Sequence, residues 1–171
     1  PENITNALFP FQKEGVETIV TRFDGRALLA DDMGLGKSLQ AIAVMSYYKA
    51  QWPLLIVCPS YLRLNWKAEF QKWTDVDDVV LVKNSKVVPN GQVTIISYDL
   101  VPRMQDVLAH YRFKCVIADE SHYIKNSKAQ RTKACQPILR RANRVLLLSG
   151  TPLSNRPVEL YAQVCTLRPC Y

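Results

Sequence analysis

Two short clusters carry the residues able to do chemistry. The first is Gly34-Leu35-Gly36-Lys37-Ser38, preceded by Asp31, Asp32 and Met33. Glycines let a backbone curl until successive N–H groups point inward at an anion. A lysine beside them can reach the β- and γ-oxygens of a polyphosphate, and a serine hydroxyl can ligate Mg2+. The cluster therefore follows the logic of a phosphate loop. One residue departs from it: the pattern G-x-x-x-x-G-K-[ST] asks for glycine at 31, where this chain has Asp31. On these residues alone, a glycine-rich turn that binds nothing stays open.

The second cluster is Asp119-Glu120, at the end of the apolar run KCVIAD. A phosphate loop needs a carboxylate at the C-terminal end of another buried strand. Asp119 suits the metal, held directly or through water, and Glu120 suits a general base acting on the attacking water. An acidic solvent-facing loop is the plain alternative. A third run, RVLLLSGTP, ends in Ser149, Gly150 and Thr151. These small residues could sense whether the carboxylates face a γ-phosphate; an ordinary Gly-Thr-Pro turn would look the same.

Such residues need a frame to bring them together. Six short apolar runs rich in Val, Ile and Leu read as strands: 26–30, 53–58, 78–82, 93–97, 114–119 and 144–149. They mostly do not alternate, as expected of strands buried on both faces. Helical patterns lie between most of them, at 10–23, 38–50, 61–73, 99–111 and 128–139, with a last one at 157–167. Strands alternating with helices predict an α/β layer fold with a mainly parallel sheet. The first glycine cluster then falls at a strand-to-helix turn, where the helix N-terminus adds partial positive charge. Residues 83–92 read as a polar turn. Leu62, Trp66, Phe70 and Trp73 share one helical face, which favours core over stacking on unpaired bases.

The 171 residues suit one domain. No apolar run is long enough to span a membrane. The first residues lack the layout of a secretory leader, so a cytosolic or nuclear chain is expected. Five cysteines at 58, 115, 135, 165 and 170 include no C-x-x-C pair, so buried thiols are expected rather than a zinc site or disulfides. The net charge is +7, and residues 121–158 contain no acid but hold Lys125, Lys128, Arg131, Lys133, Arg140, Arg141, Arg144 and Arg156. A solvated helix face and a surface for nucleic-acid phosphates both fit that stretch.

Taken together, ADDMGLGKS, ADESHYIKN and LLLSGTPLSNRPVELY resemble motifs I, II and III of superfamily-two helicases, and more narrowly those of the Swi/Snf-type DNA-dependent ATPases. Aspartate at the position of Asp31 is usual there, so the departure becomes support. LFPFQKEGV resembles the family's Q motif, WPLLIVCPSYLRLNWKAEFQKW its motif Ia and TIISYDL its motif Ib. The resemblance covers nearly the whole chain. It implies a three-layer RecA-like P-loop NTPase fold over 1–171, the first of two lobes, with the second lobe outside this sequence. It implies ATP and Mg2+ as ligands and DNA as partner. Lys37, Asp119 and Glu120 would be catalytic, with Ser38 and Asp119 at the metal. Gln12 would read the adenine, while Asp32, Met33, Gly34, Leu35, Gly36, Lys37 and Ser38 hold the phosphates. His122, Ser149, Gly150 and Thr151 would couple hydrolysis to DNA, whose backbone would meet Ser60, Arg63, Ser97, Tyr98, Lys125 and Asn126.

Within the family, DESH, WPLLIV and the RPVELY segment look most like the annealing helicases of the HepA-related and Ran-binding zinc-finger type. That branch rewinds single-stranded gaps and remodels stalled forks in the nucleus; a chromatin-remodelling ATPase of the same family is the alternative. Arginine fingers would come from the second lobe, so an isolated first lobe is expected to hydrolyse ATP poorly. Two readings of other classes remain: a docking module on a retained ATPase fold, and a small-molecule P-loop kinase. The intact Lys37, Ser38, Asp119 and Glu120 argue against the former, and the SGTP run against the latter.

Overall fold

The computed structural model describes residues 2–150 and residue 167. Six strands form one sheet: β1 (Arg26–Leu29), β2 (Leu54–Cys58), β3 (Val79–Leu81), β4 (Val93–Ser97), β5 (Cys115–Ala118) and β6 (Arg144–Leu148). Each falls within a run expected from the sequence. The order is β1-β6-β5-β2-β4-β3 and every pairing is parallel. Leu54 of β2 stands opposite Val93 of β4 on one side and Cys115 of β5 on the other.

The unbroken apolar runs have a direct cause. β2, β4 and β5 lie inside the sheet and every residue of each is buried. Alternation along β2 sends Leu54, Ile56 and Cys58 into one core and Leu55 and Val57 into the other. The first core is closed by α1 (Glu2–Ala7), α2 (Pro10–Arg22), α3 (Lys37–Tyr47) and α4 (Arg63–Trp73), through Ile4, Ile19, Ile42, Met45, Trp66 and Phe70. The second is closed by α5 (Gln105–Tyr111) and α6 (Gln130–Arg141), through Leu108, Cys135, Ile138 and Leu139. Helices on both faces of a parallel sheet make the expected three layers.

Three details differ from the sequence reading. The short α1 was not anticipated. The helix expected over 99–111 is split into a 3-10 turn at Val101–Met104 and α5, because Pro102 has no N–H to donate to a continuous α-helical ladder. The stretch expected as one helix from 61 begins as a 3-10 turn at Ser60–Leu62. The run at 157–167 lies outside the described residues except Leu167, whose carbonyl accepts the Arg26 Nε–H at 2.8 Å.

Cys58, Cys115 and Cys135 are free thiols in the core. Burial pushes Cys58 and Cys135 up to about 12 and Cys115 up to about 11. Cys165 and Cys170 lie outside the described residues. Among the described residues no helix is long and apolar enough to cross a membrane.

Candidate active site

All six strands point the same way, so the turns after β1, β5 and β6 emerge at one edge of the sheet. The turn after β1 is built from backbone. Gly34 and Gly36 take φ of +84° and +73°, a region that side chains strain. Gly36 is the N-cap of α3, and among the described residues no side chain caps that helix. The first amides of α3 thus remain oriented toward an anion. The Lys37 ammonium donates to the carbonyl oxygens of Asp31 and Asp32 at 2.7 and 2.8 Å, bridging the loop's start to its end. Asp31, the residue that breaks the strict pattern, accepts a hydrogen bond from buried Gln40 at 3.2 Å, which ties the loop to α3.

Gln12 supports this loop from α2. Its Oε1 accepts the Phe9 N–H at 2.8 Å and its Nε2 donates to the Leu35 carbonyl at 2.8 Å. The side chain is buried and presses so close that a Cβ on Gly36 would stand 2.5 Å from Nε2. Gln12 is therefore a brace of the loop in this structure. One amide hydrogen and one lone pair remain available for adenine.

The turn after β5 is built from side chains. The Asp119 carboxylate accepts the Trp66 indole N–H at 2.8 Å on Oδ2 and the Glu120 N–H at 2.8 Å on Oδ1. The Tyr98 hydroxyl donates to the Asp119 carbonyl at 2.7 Å. Burial pushes the Asp119 carboxyl above its ordinary range, and the charge of Glu120 adds to the rise. The two N–H bonds and the Lys37 ammonium pull it back in part. Glu120 sits at φ +50°, a strained setting for a residue with a side chain. Its Oε2 lies 3.1 Å from Nδ1 of His122.

The three turns converge. β6 lies between β1 and β5, so the tips of those two strands stand about 10 Å apart, room for a phosphate and an ion. A Cβ on Gly150 would stand 2.8 Å from the Met33 side chain and 3.8 Å from Glu120 Oε1. Gly150 therefore lies beside the Met33 side chain of the glycine turn and close to the Glu120 carboxylate. Ser149 is buried, its N–H bonded to the Leu29 carbonyl at 3.0 Å. Thr151 lies outside the described residues. His122 reaches Glu120 directly. The donors fit Mg2+, a hard cation that takes oxygen ligands: the desolvation that raises Asp119 is what a divalent cation offsets, and Ser38 adds a hydroxyl on the first turn of α3.

Sequence reasoning missed Trp66 as a residue of this site and expected Ser97 and Tyr98 at the DNA backbone. Trp66 is 1% exposed, as its helical spacing implied. A buried indole N–H needs an acceptor, and that requirement was the one signal that could have pointed to a carboxylate. Arg63 donates to the Val82 and Ser60 carbonyls at 2.7 and 3.2 Å, so its guanidinium ties two loops together. Tyr98, expected at the DNA backbone, is 1% exposed and Ser97 is 3% exposed. Neither side chain reaches a surface where a phosphate could lie. Ser97 ends a central strand and Tyr98 follows it into the second core, which corrects that expectation. Ser60, Lys125 and Asn126 are exposed, and Asn126 accepts the Lys128 N–H at 3.0 Å.

The acid-free stretch is not one surface. Arg144 pairs with Asp24 at 2.8 Å and lies over the Tyr48 ring. Arg131 lies over Tyr123. Arg140 and Arg141 close the far end of α6, about 15 Å from its start at 1.5 Å per residue. Lys125 and Lys128 stay at the edge that carries the site.

Known proteins share this arrangement. The SNF2-related domain family matches residues 11–170. The SWI/SNF-related matrix-associated actin-dependent regulator of chromatin subfamily A-like protein 1 of Xenopus tropicalis is 45% identical over 170 residues, covering 96% of this chain and 18% of that protein. The DNA annealing helicase and endonuclease ZRANB3 of Mus musculus is 41% identical over 179 residues, covering 99% of this chain and 17% of that protein. This chain therefore spans less than a fifth of these relatives' length. Among solved structures, the Sulfolobus solfataricus SWI2/SNF2 ATPase core in complex with dsDNA superposes with a TM-score of 0.82 at 29% identity, covering 98% of this chain and 37% of that one.

Proposed function

This chain belongs to the SNF2-related domain family, and from that premise we propose that residues 1–171 are the first RecA-like lobe of a DNA-dependent ATPase. Its ligands are ATP and Mg2+. Its partners are DNA and a second RecA-like lobe of the same polypeptide. The observation that carries the reading is the meeting of Met33, Gly150 and Glu120 at one edge of the sheet. A phosphate turn, an acid pair and a third turn in contact are the parts that nucleotide hydrolysis requires.

The geometry supports the following roles. The amides at the start of α3 and the Lys37 ammonium bind the phosphates, with Asp32 to Ser38 forming the cradle. Glu120 takes the proton of the attacking water. Its strained backbone and the nearby His122 hold its carboxylate at the mouth between the turns. Asp119 and Ser38 would hold a magnesium ion, which would neutralise the phosphate charge that develops during transfer. Ser149 and Gly150 lie where a change in the acid pair can be passed on, and Thr151 is assigned the same coupling role from the motif alone.

DNA runs past the exposed Ser60, Lys125 and Asn126. Phosphate contacts of that kind position a duplex without reading its sequence, so binding weakens with salt. The duplex held by the Sulfolobus core and the annealing activity named for the ZRANB3 relative support a nuclear protein that rewinds or remodels forked and gapped DNA. The test is ATP turnover by the full-length protein with no DNA, duplex DNA and forked DNA. Forked DNA is expected to stimulate most, Lys37→Ala to abolish turnover and Glu120→Gln to lower it by about 10²–10⁴. DNA-independent turnover would favour a kinase, and no turnover under any condition a docking module. The isolated lobe is expected to turn over poorly, for want of arginine fingers.

A further inference from the structure

One peptide plane governs both carboxylates. The Asp119 carbonyl accepts the Tyr98 hydroxyl, while the N–H of the same peptide, on Glu120, donates back to Asp119 Oδ1. Rotating this plane would move the Asp119 carboxylate and the left-handed backbone of Glu120 together. Tyr98 has no surface of its own. Its ring lies flat on Tyr123, centroids 5.4 Å apart and planes 9° from parallel. Tyr123 belongs to the 3-10 turn Ser121–Ile124, and its N–H donates to the Glu120 carbonyl at 2.9 Å. The Arg131 guanidinium lies over the Tyr123 ring, 5.1 Å from its centroid. The Arg131 Nε is buried without a hydrogen-bond partner. The ring, and no acid, holds this cation in place among the described residues.

We propose that Arg131, Tyr123 and Tyr98 are positioning residues: a stack that makes the aim of the acid pair depend on what touches the exposed residues 125–128. The inference rests on the reading of the chain as a DNA-dependent ATPase lobe. Offset aromatic rings slide past one another more readily than interlocked aliphatic side chains do, since their attraction is broad in the ring plane. A guanidinium held by a ring alone is also open to capture by a phosphate. A polyanion lying along Lys125 and Asn126 would draw on Arg131 and shift Tyr123. The Tyr98 hydroxyl would carry that shift to the Asp119–Glu120 peptide.

The test is steady-state turnover of the full-length protein with and without duplex DNA, in Tyr98→Phe, Tyr123→Leu and Tyr123→Phe. Tyr98→Phe keeps the stack and loses one hydrogen bond, so DNA-stimulated kcat is expected to fall about five-fold, the size of one net hydrogen bond. KM for ATP should stay within about two-fold, because ground-state binding is untouched. Tyr123→Leu should lower the ratio of DNA-stimulated to DNA-free turnover, and Tyr123→Phe should restore it. A ratio unchanged in Tyr123→Leu, a kcat unchanged in Tyr98→Phe, or no rescue by Tyr123→Phe would overturn the inference while wild-type turnover still responds to DNA. Wild-type turnover that ignores DNA would instead overturn the proposed function, and the coupling with it.

Discussion

The turns after β1 and β5 face each other across β6, yet they are built by opposite means. The first is exposed, shaped by two glycines in left-handed conformation, and its fittings are main-chain amides and carbonyls. The second is partly buried and shaped by side chains brought from far along the chain, Trp66 from α4 and Tyr98 from the end of β4. A polyphosphate carries many acceptors, so a flexible ring of amides can mould itself to them. A metal ligand and a general base must each present one group in one direction, which calls for rigid support. The contrast explains why a short local motif describes the first turn well and the second poorly.

The largest effect expected from breaking this comparison is at Glu120. Glu120→Gln keeps the shape of the acid turn and removes its base, so DNA-stimulated kcat should fall by about 10²–10⁴ with little change in nucleotide affinity. Steady-state turnover and nucleotide titration read the two separately. Next is Gly36→Ala. The added Cβ meets Gln12 at 2.5 Å and the backbone stays at φ +73°, a strain of about 1–3 kcal/mol. Nucleotide affinity should drop about tenfold or more by calorimetry. Gly34→Ala has nothing within 4 Å and bears only its backbone strain, so it should be milder.

Trp66→Phe probes the side-chain-built turn. It leaves a charged acceptor one bond short inside the fold, a loss of about 1–3 kcal/mol readable by urea denaturation. It should also raise the Asp119 carboxyl further, since the indole bond holds it down. For a carboxyl already raised by folding, the stabilising contribution is complete below the unfolded value and is lost as pH rises through the folded one. Trp66→Phe should move the upper end of that window to higher pH. The smallest effect is at Lys125, on the outer lip of the acid turn. Lys125→Ala should lower DNA affinity alike for every sequence and reduce the salt slope by about one.

Much of the fold was legible because it is local in origin. A strand buried on both faces is mostly apolar, so β2, β4, β5 and β6 announce themselves as runs despite buried Thr94 and Ser97 in β4, and α3 and α4 by their spacing. Pro102 splits the helical pattern of 99–111, which hydrophobic spacing by itself does not register. Of the site, Gly34 to Ser38 and Asp119-Glu120 could be read directly, since each cluster is contiguous. Tyr98 could not, because its neighbours in sequence say nothing about which way a residue just past a strand will turn. The basic stretch left two readings open for a related reason: charges close in sequence are carried by α6 to different parts of the surface.

By itself the sequence determined the layers, the two clusters of functional residues and the family they belong to. Each depends on periodicity or on residues a few positions apart, and such information is written along the chain. The tertiary structure alone decided that β6 stands between β1 and β5, that Trp66 and Tyr98 hold Asp119, and that Arg144 is spent on Asp24 rather than on a phosphate. Trp66 and Asp119 lie 53 positions apart. A hydrogen bond across that distance leaves no local trace, because it exists only after two strands and a helix have packed.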